Sequence, residues 1–146
     1  MPSSAVAGVG TIFQRWTGSA WSAISEINSI SGPSMSRDTI DVTSLSSSGG
    51  YREFISGFRN PGTVTLSMNF TRQTYDLFKT DFESNTARNY RIVFPDTENT
   101  ILEFIGLVTE LPLNITADDK ITADVTIQIT GPVEMDSGAS AGIGLP

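Results

Sequence analysis

Cysteine and histidine are both missing from this 146-residue chain. Without cysteine there is no disulfide framework and no thiolate metal site. Without histidine the usual general base at neutral pH and the commonest metal ligand are gone, and a Ser-His-Asp triad cannot form. A serine–lysine pair would have to use Lys79 or Lys120, and neither stands in a recognisable motif. No apolar run approaches the roughly 20 residues that span a bilayer. The start, Met1-Pro2-Ser3-Ser4-Ala5-Val6-Ala7-Gly8, has neither the basic residues nor the apolar stretch of a signal peptide, which predicts synthesis in a cytoplasm. On that reading the N-x-T triplets at Asn69 and Asn114 are incidental.

Clustered positive charge is lacking too. Nine basic residues are scattered singly from Arg15 to Lys120, and the formal net charge is -7. Stable nucleic-acid binding needs grouped cations that displace counterions from phosphates, so it is not expected here. Asp118, Asp119 and Asp124 lack the glycine and closing glutamate of a calcium loop and read as a charged turn before a strand. The glycines at Gly8-Val9-Gly10 and Ser48-Gly49-Gly50 extend to no phosphate-binding fingerprint. Neither catalysis nor a cofactor or metal is expected.

What is present is strand pattern. Residues 121–129 read ITADVTIQI and residues 63–70 read TVTLSMNF, both with apolar and polar side chains in alternation. Period two over that length marks half-buried strands. A third strand is expected over 89–94, stopped by Pro95-Asp96, and a fourth over 101–108. That last run, ILEFIGLV, is nearly all apolar, which predicts cover on both faces. One helix is expected over 72–85, with Tyr75, Phe78 and Phe82 as its apolar stripe and Thr71 placed to cap it. It should lie across one face or one open end of the sheets. Trp21, Ile24, Ile27 and Ile30 are three apart, but the serines and asparagine between them suit a helix poorly, so a strand with a bulge or twist is expected. The whole chain reads as one domain, 1–146, with a core over about 11–133, a loose arm at 1–10 and a Gly/Ala/Ser tail at 134–146.

The most informative stretch runs from Trp21 to Phe54. It contains Ser31-Gly32-Pro33, then Arg37-Asp38-Thr39-Ile40-Asp41-Val42-Thr43, a Ser/Gly loop, and Arg52-Glu53-Phe54. A compact fold seldom keeps a long polar loop unless the loop binds something. Further on come Pro61-Gly62-Thr63-Val64-Thr65-Leu66, Phe94-Pro95-Asp96, Phe104-Ile105-Gly106-Leu107-Val108-Thr109 and Ile129-Thr130-Gly131-Pro132-Val133. This ordered set resembles the major tail tube proteins of long-tailed, siphovirus-type bacteriophages, from about Phe13 to Val133.

The resemblance implies a mainly β, sandwich or barrel-like tail tube fold with one flanking helix and a long projecting β-hairpin loop. It implies a non-enzymatic protein of the virion tail, six copies forming a ring and rings stacking into the tube for DNA ejection. Implied partners are further copies of the chain, the tape measure protein, the tail tip and terminator proteins, and DNA that passes without stable binding; no membrane is implied. The loop Thr43, Ser44, Leu45, Ser46, Ser47, Ser48, Gly49, Gly50 and Tyr51 is then expected to reach a neighbour. Leu45 and Tyr51 would anchor it, and Arg52 and Arg59 would meet acidic groups opposite. The net negative charge becomes a lumen that repels DNA and lets it slide, with Asp124 as a lumen-facing residue. Two other readings stay open: a related ring protein, such as a tail terminator or secretion tube, and a β-sandwich receptor- or sugar-binding module using Trp16 or Trp21.

Overall fold

The computed structural model describes residue 8 and residues 10–136. The elements in chain order are β1 (Ile12–Trp16), β2 (Trp21–Ala23), β3 (Ile27–Ser31), β4 (Ser36–Asp41), β5 (Phe54–Asn60) and β6 (Thr63–Asn69). Helix α1 (Arg72–Glu83), β7 (Arg88–Val93), β8 (Ile101–Glu110), β9 (Leu113–Asn114) and β10 (Thr122–Asp136) follow. Eight strands make one antiparallel sheet in the order β2-β1-β7-β8-β10-β6-β3, with β9 added beside β10. Among the described residues, strands β4 and β5 pair only with each other.

The two edge strands, β2 and β3, are consecutive in the chain. Going from Ala23 to Ile27 takes four residue steps, about 14 Å at full stretch. Six gaps of ~4.8 Å would put the edges of a flat sheet about 29 Å apart. The sheet therefore curls until its borders approach, and one segment serves both. Ile24 N–H donates to the Phe13 carbonyl at 2.9 Å, and Asn69 N–H donates to the Glu26 carbonyl at 2.9 Å. This is the barrel-like β fold expected from the sequence. The single bulged strand expected over residues 21–30 is instead two strands. Glu26, at φ 64, breaks the line and sends the chain from one border to the other. The threefold spacing of the apolar residues reflects that break.

Inside the curl the alternating faces meet. Val64, Leu66 and Met68 of β6 and Val125 and Ile127 of β10 have no exposed surface. Complete burial of such side chains is worth about 1.5–3 kcal/mol each. Phe13, Tyr90 and Phe104 pack from β1, β7 and β8, with Phe13 and Tyr90 stacked at 5.6 Å. Gly106 lets β8 lie against β10, because a Cβ there would come within 2.5 Å of Ile127 Cγ2. Asp96 makes the expected turn after β7, accepting from Thr100 N–H at 2.7 Å.

Three expectations need correction. Residues 101–108 are not covered on both faces throughout: Ile101 is buried on the outward side of β8, but Ile105 and Leu107 farther along that side are 42% and 37% exposed. The last strand does not end near Val133 but runs to Asp136, so residues 134–136 are strand rather than tail. The irregularity between Thr130 and Glu134, with Gly131 at φ 84, interrupts the alternation and hid the continuation. The helix stops at Glu83 because Ser84 is extended, and its buried side is Thr74, Phe78 and Asp81, while Phe82 is 49% exposed. Thr71 does cap it, its hydroxyl accepting from Thr74 N–H at 3.3 Å. Of the expected arm at 1–10, residues 1–7 and 9 lie outside the described residues, as do residues 137–146 of the expected tail.

Candidate subunit interface

Helix α1 is fixed to the sheet by charge. Asp81 accepts from Arg15 Nε at 2.7 Å, from Arg15 Nη2 at 2.6 Å and from the Tyr90 hydroxyl at 2.7 Å. Arg88 Nε approaches the same carboxylate at 2.8 Å, a charge contact without hydrogen-bond alignment, and Arg88 Nη1 donates to the Trp16 carbonyl at 3.1 Å. The bond to Asp81 raises the Arg15 pKa, and burial followed by the same carboxylate raises that of Tyr90. The sequence carried a hint of this in Asp81, an acid three residues after Phe78 on the buried stripe. Its partners on β1 and β7 gave no local signal. On the outward face of the same strands, Arg91 Nε donates to Gln14 Oε1, and the guanidinium stacks 4.2 Å from the Trp21 ring centroid. Burial lowers the Arg91 pKa. Trp21 is thus occupied by Arg91 and by Trp16, 5.3 Å away edge-on.

The β4–β5 ribbon is built differently. Its register pairs Ile40 with Ile55, Asp41 with Phe54 and Thr39 with Ser56. Ile40 and Ile55 therefore share one face and Phe54 takes the other, while Phe58 sits in the register irregularity between Ser56 and Arg59. Both faces carry large apolar side chains, and neither is covered. Phe58 is 89% exposed, Phe54 54%, Ile55 53% and Ile40 50%. No buried residue lies in either strand. Only cross-strand bonds and pairs hold it together.

Residues 42–53 connect the strands and are ordered by their own short polar groups. Val42 N–H donates to the Glu53 carbonyl at 2.9 Å, and Glu53 N–H donates to the Thr43 hydroxyl at 2.7 Å. Ser44 N–H donates to Ser47 Oγ at 3.0 Å, and Ser44 and Ser46 share a hydroxyl bond of 2.8 Å. Ser48–Gly50 is a single 3-10 turn with Gly49 at φ 66, closed by Tyr51 N–H on the Ser48 carbonyl at 3.3 Å. Leu45 is fully exposed and Tyr51 is 78% exposed. Arg52, expected to meet an acid of a neighbour, pairs within its own ribbon, Nη1 to Asp41 Oδ2 at 3.0 Å. Asp41 also accepts from Thr43 N–H at 2.9 Å. The bonds to Thr43, then that to Arg52, hold its pKa below the usual carboxylate range. Arg59 has no carboxylate within 4.0 Å among the described residues. Asp124 lies on the side of β10 turned from the core, opposite Ser67, and accepts from the Asn114 amide at 3.1 Å.

Among the described residues no three acidic side chains gather to hold a metal, and no helix is long and apolar enough to cross a membrane. A finished core carrying a ribbon that is apolar and uncovered on both faces is the architecture of an assembly subunit.

The kind of assembly follows from comparison with known proteins: the chain belongs to the lambda phage tail tube protein family, whose model matches residues 6–136. It is a structural protein of the tail in phage-like particles. No curated protein matches it. Among solved structures it is similar to the tail of an empty gene transfer agent particle with C6 symmetry, at TM-score 0.76 and 21% identity over 91% of this chain and 100% of that one. It is also similar to a chain in the sheath/tube terminator of the PVC extracellular contractile injection system, at 0.71 and 17% over 94% and 100%. A third likeness is to the SPP1 tail tube, at 0.69 and 6% over 91% and 80%. At these identities the likeness is one of fold.

Proposed function

We propose that six copies of this chain close into a ring and that the rings stack into the tail tube through which DNA is ejected. The observation that carries the reading is the β4–β5 ribbon, whose two apolar faces are both bare in the single chain. Contact with neighbouring copies would cover them, and the tip residues 43–51 would extend that contact to the next ring. A ring needs two different patches that meet head to tail, and the ribbon and the outward sheet face supply two. The C6 symmetry of the gene transfer agent tail supports the sixfold choice.

The bore would be negative. With a formal net charge of -7 and scattered cations, the chain repels phosphates rather than holding them. Asp124, on the outward face of β10, is a lumen-facing residue in this reading. The tape measure protein would occupy the bore before DNA, with tip and terminator proteins at the two ends. Electron microscopy of the purified protein tests the reading: sixfold rings and hollow tubes are expected. Monodisperse single chains at high concentration would overturn it. Rings that never stack would move the protein to the terminator class.

A further inference from the structure

Two cross-strand pairs in this chain oppose like charges. Arg37 stands directly opposite Arg59 at the base of the β4–β5 ribbon. Glu103 stands directly opposite Glu134 where β8 meets β10. Like charges in register repel at a cross-strand distance of roughly 5 Å. None of the four has an ion-pair partner among the described residues. Arg91, directly opposite Glu103 on β7, feels its charge, yet its guanidinium is buried against Trp21 and makes no ion pair within 4.0 Å among the described residues.

The two pairs also match in their surroundings. Phe58, beside Arg59, is 89% exposed, and Met135, beside Glu134, is 73% exposed. Arg37 and Arg59 line a cleft against Gly131 and Pro132, and Glu103 and Glu134 line a second cleft that shares those two residues. One chain thus presents a cationic couple and an anionic couple on the two sides of Gly131 and Pro132.

We propose that these couples are the two halves of one contact between copies: Arg37 and Arg59 of one chain seat on Glu103 and Glu134 of the next. The occupant of the acidic strip is a second copy of this chain, and the argument is charge complementarity. Each couple relieves the other's repulsion, and the exposed apolar neighbours close over the ions. The contact is head to tail, so it propagates. The proposal rests on the tube reading and names where two of its subunits touch.

Charge reversal tests it. R37E/R59E gives a chain with an acidic ribbon and an acidic strip, and E103R/E134R gives a chain with both basic. Each alone should assemble at a concentration at least about tenfold above the wild type, since like-charge juxtaposition is strongly unfavourable. An equimolar mixture should assemble as the wild type does, because each ribbon then finds an opposite strip. Circular dichroism of each variant checks the fold. A second variant reads position rather than charge: the chain has no cysteine, so R59C/E134C on mild oxidation should give disulfide ladders between copies. Variants that assemble alone as well as the wild type, a mixture no better than its parts, or a disulfide closed within one chain would each overturn the pairing and leave the tube reading standing. A wild type that never assembles would overturn both.

Discussion

The curled sheet and the β4–β5 ribbon are both antiparallel β, yet they hide their apolar side chains in opposite ways. In the sheet, Val64, Leu66, Val125 and Ile127 meet across the interior and leave no exposed surface. In the ribbon, Ile40, Ile55, Phe54 and Phe58 meet no second layer among the described residues, and each is at least half exposed. The chemistry of the residues is the same; the difference is whether the partner layer is in the same chain. The sheet is what lets the chain fold alone, and the ribbon is what makes a lone chain unfinished. Stability and assembly should therefore respond to different mutations.

The sharpest break in that comparison is Asp81→Ala. It strands Arg15 in a buried site and removes the acceptor for Tyr90, so unfolding free energy should fall by about 3–5 kcal/mol. Denaturant titration measures this, and tubes formed at low temperature should look unchanged. Alkaline pH acts on the same site. The Tyr90 phenol has its pKa raised in the fold, so its contribution is whole below the unfolded tyrosine value near 10 and is lost as pH rises further, at about 1.4 kcal/mol per pH unit. Thermal melts between pH 9 and pH 11 should show the loss, and Tyr90→Phe should remove the alkaline dependence.

The ribbon should give the reverse result. Phe58→Ser changes an exposed side chain, so stability of the single chain should stay within about 0.5 kcal/mol. Assembly, read by sedimentation, should be lost. Deleting residues 44–50 should likewise leave the fold intact, because their hydrogen bonds run among themselves and to Tyr51, with none to the curled sheet among the described residues, and should stop rings from stacking. The smallest effect is at the ribbon tip. Asp41 has a lowered folded pKa, so its bonds to Thr43 and Arg52 persist above about pH 3.9, the unfolded value, and are lost as pH falls through the folded one. The Thr43 amide resonance should shift in that acid range while core amides do not.

The same contrast explains what could be read from sequence. Strands β6 and β10 alternate cleanly because one face is buried in the same chain, so period two was visible. The helix and its cap at Thr71 were legible for the equivalent reason, since periodicity and the cap are local. The end of β10 was not, because the irregularity at Gly131 reset the pattern and the pairing of Glu134 with Glu103 is a long-range fact. Nor was the break at Glu26, where closure of the whole sheet decides a single φ. Asp81 stands three residues after Phe78 in the helix, but Arg15 and Tyr90 cannot be joined to it without the register of β1 on β7. In the ribbon, local bonding of the Ser/Gly tip follows from its residue types, whereas the opposition of Arg37 to Arg59 depends on the irregularity between Arg37 and Thr39.

Amide hydrogen exchange, compared between dispersed and assembled protein, addresses the central claim most directly. Amides of residues 36–60 should exchange quickly in the single chain and become strongly protected in the tube, while those of residues 122–129 should be protected equally in both. Assembled particles whose ribbon still exchanges as in the dispersed chain would contradict the account.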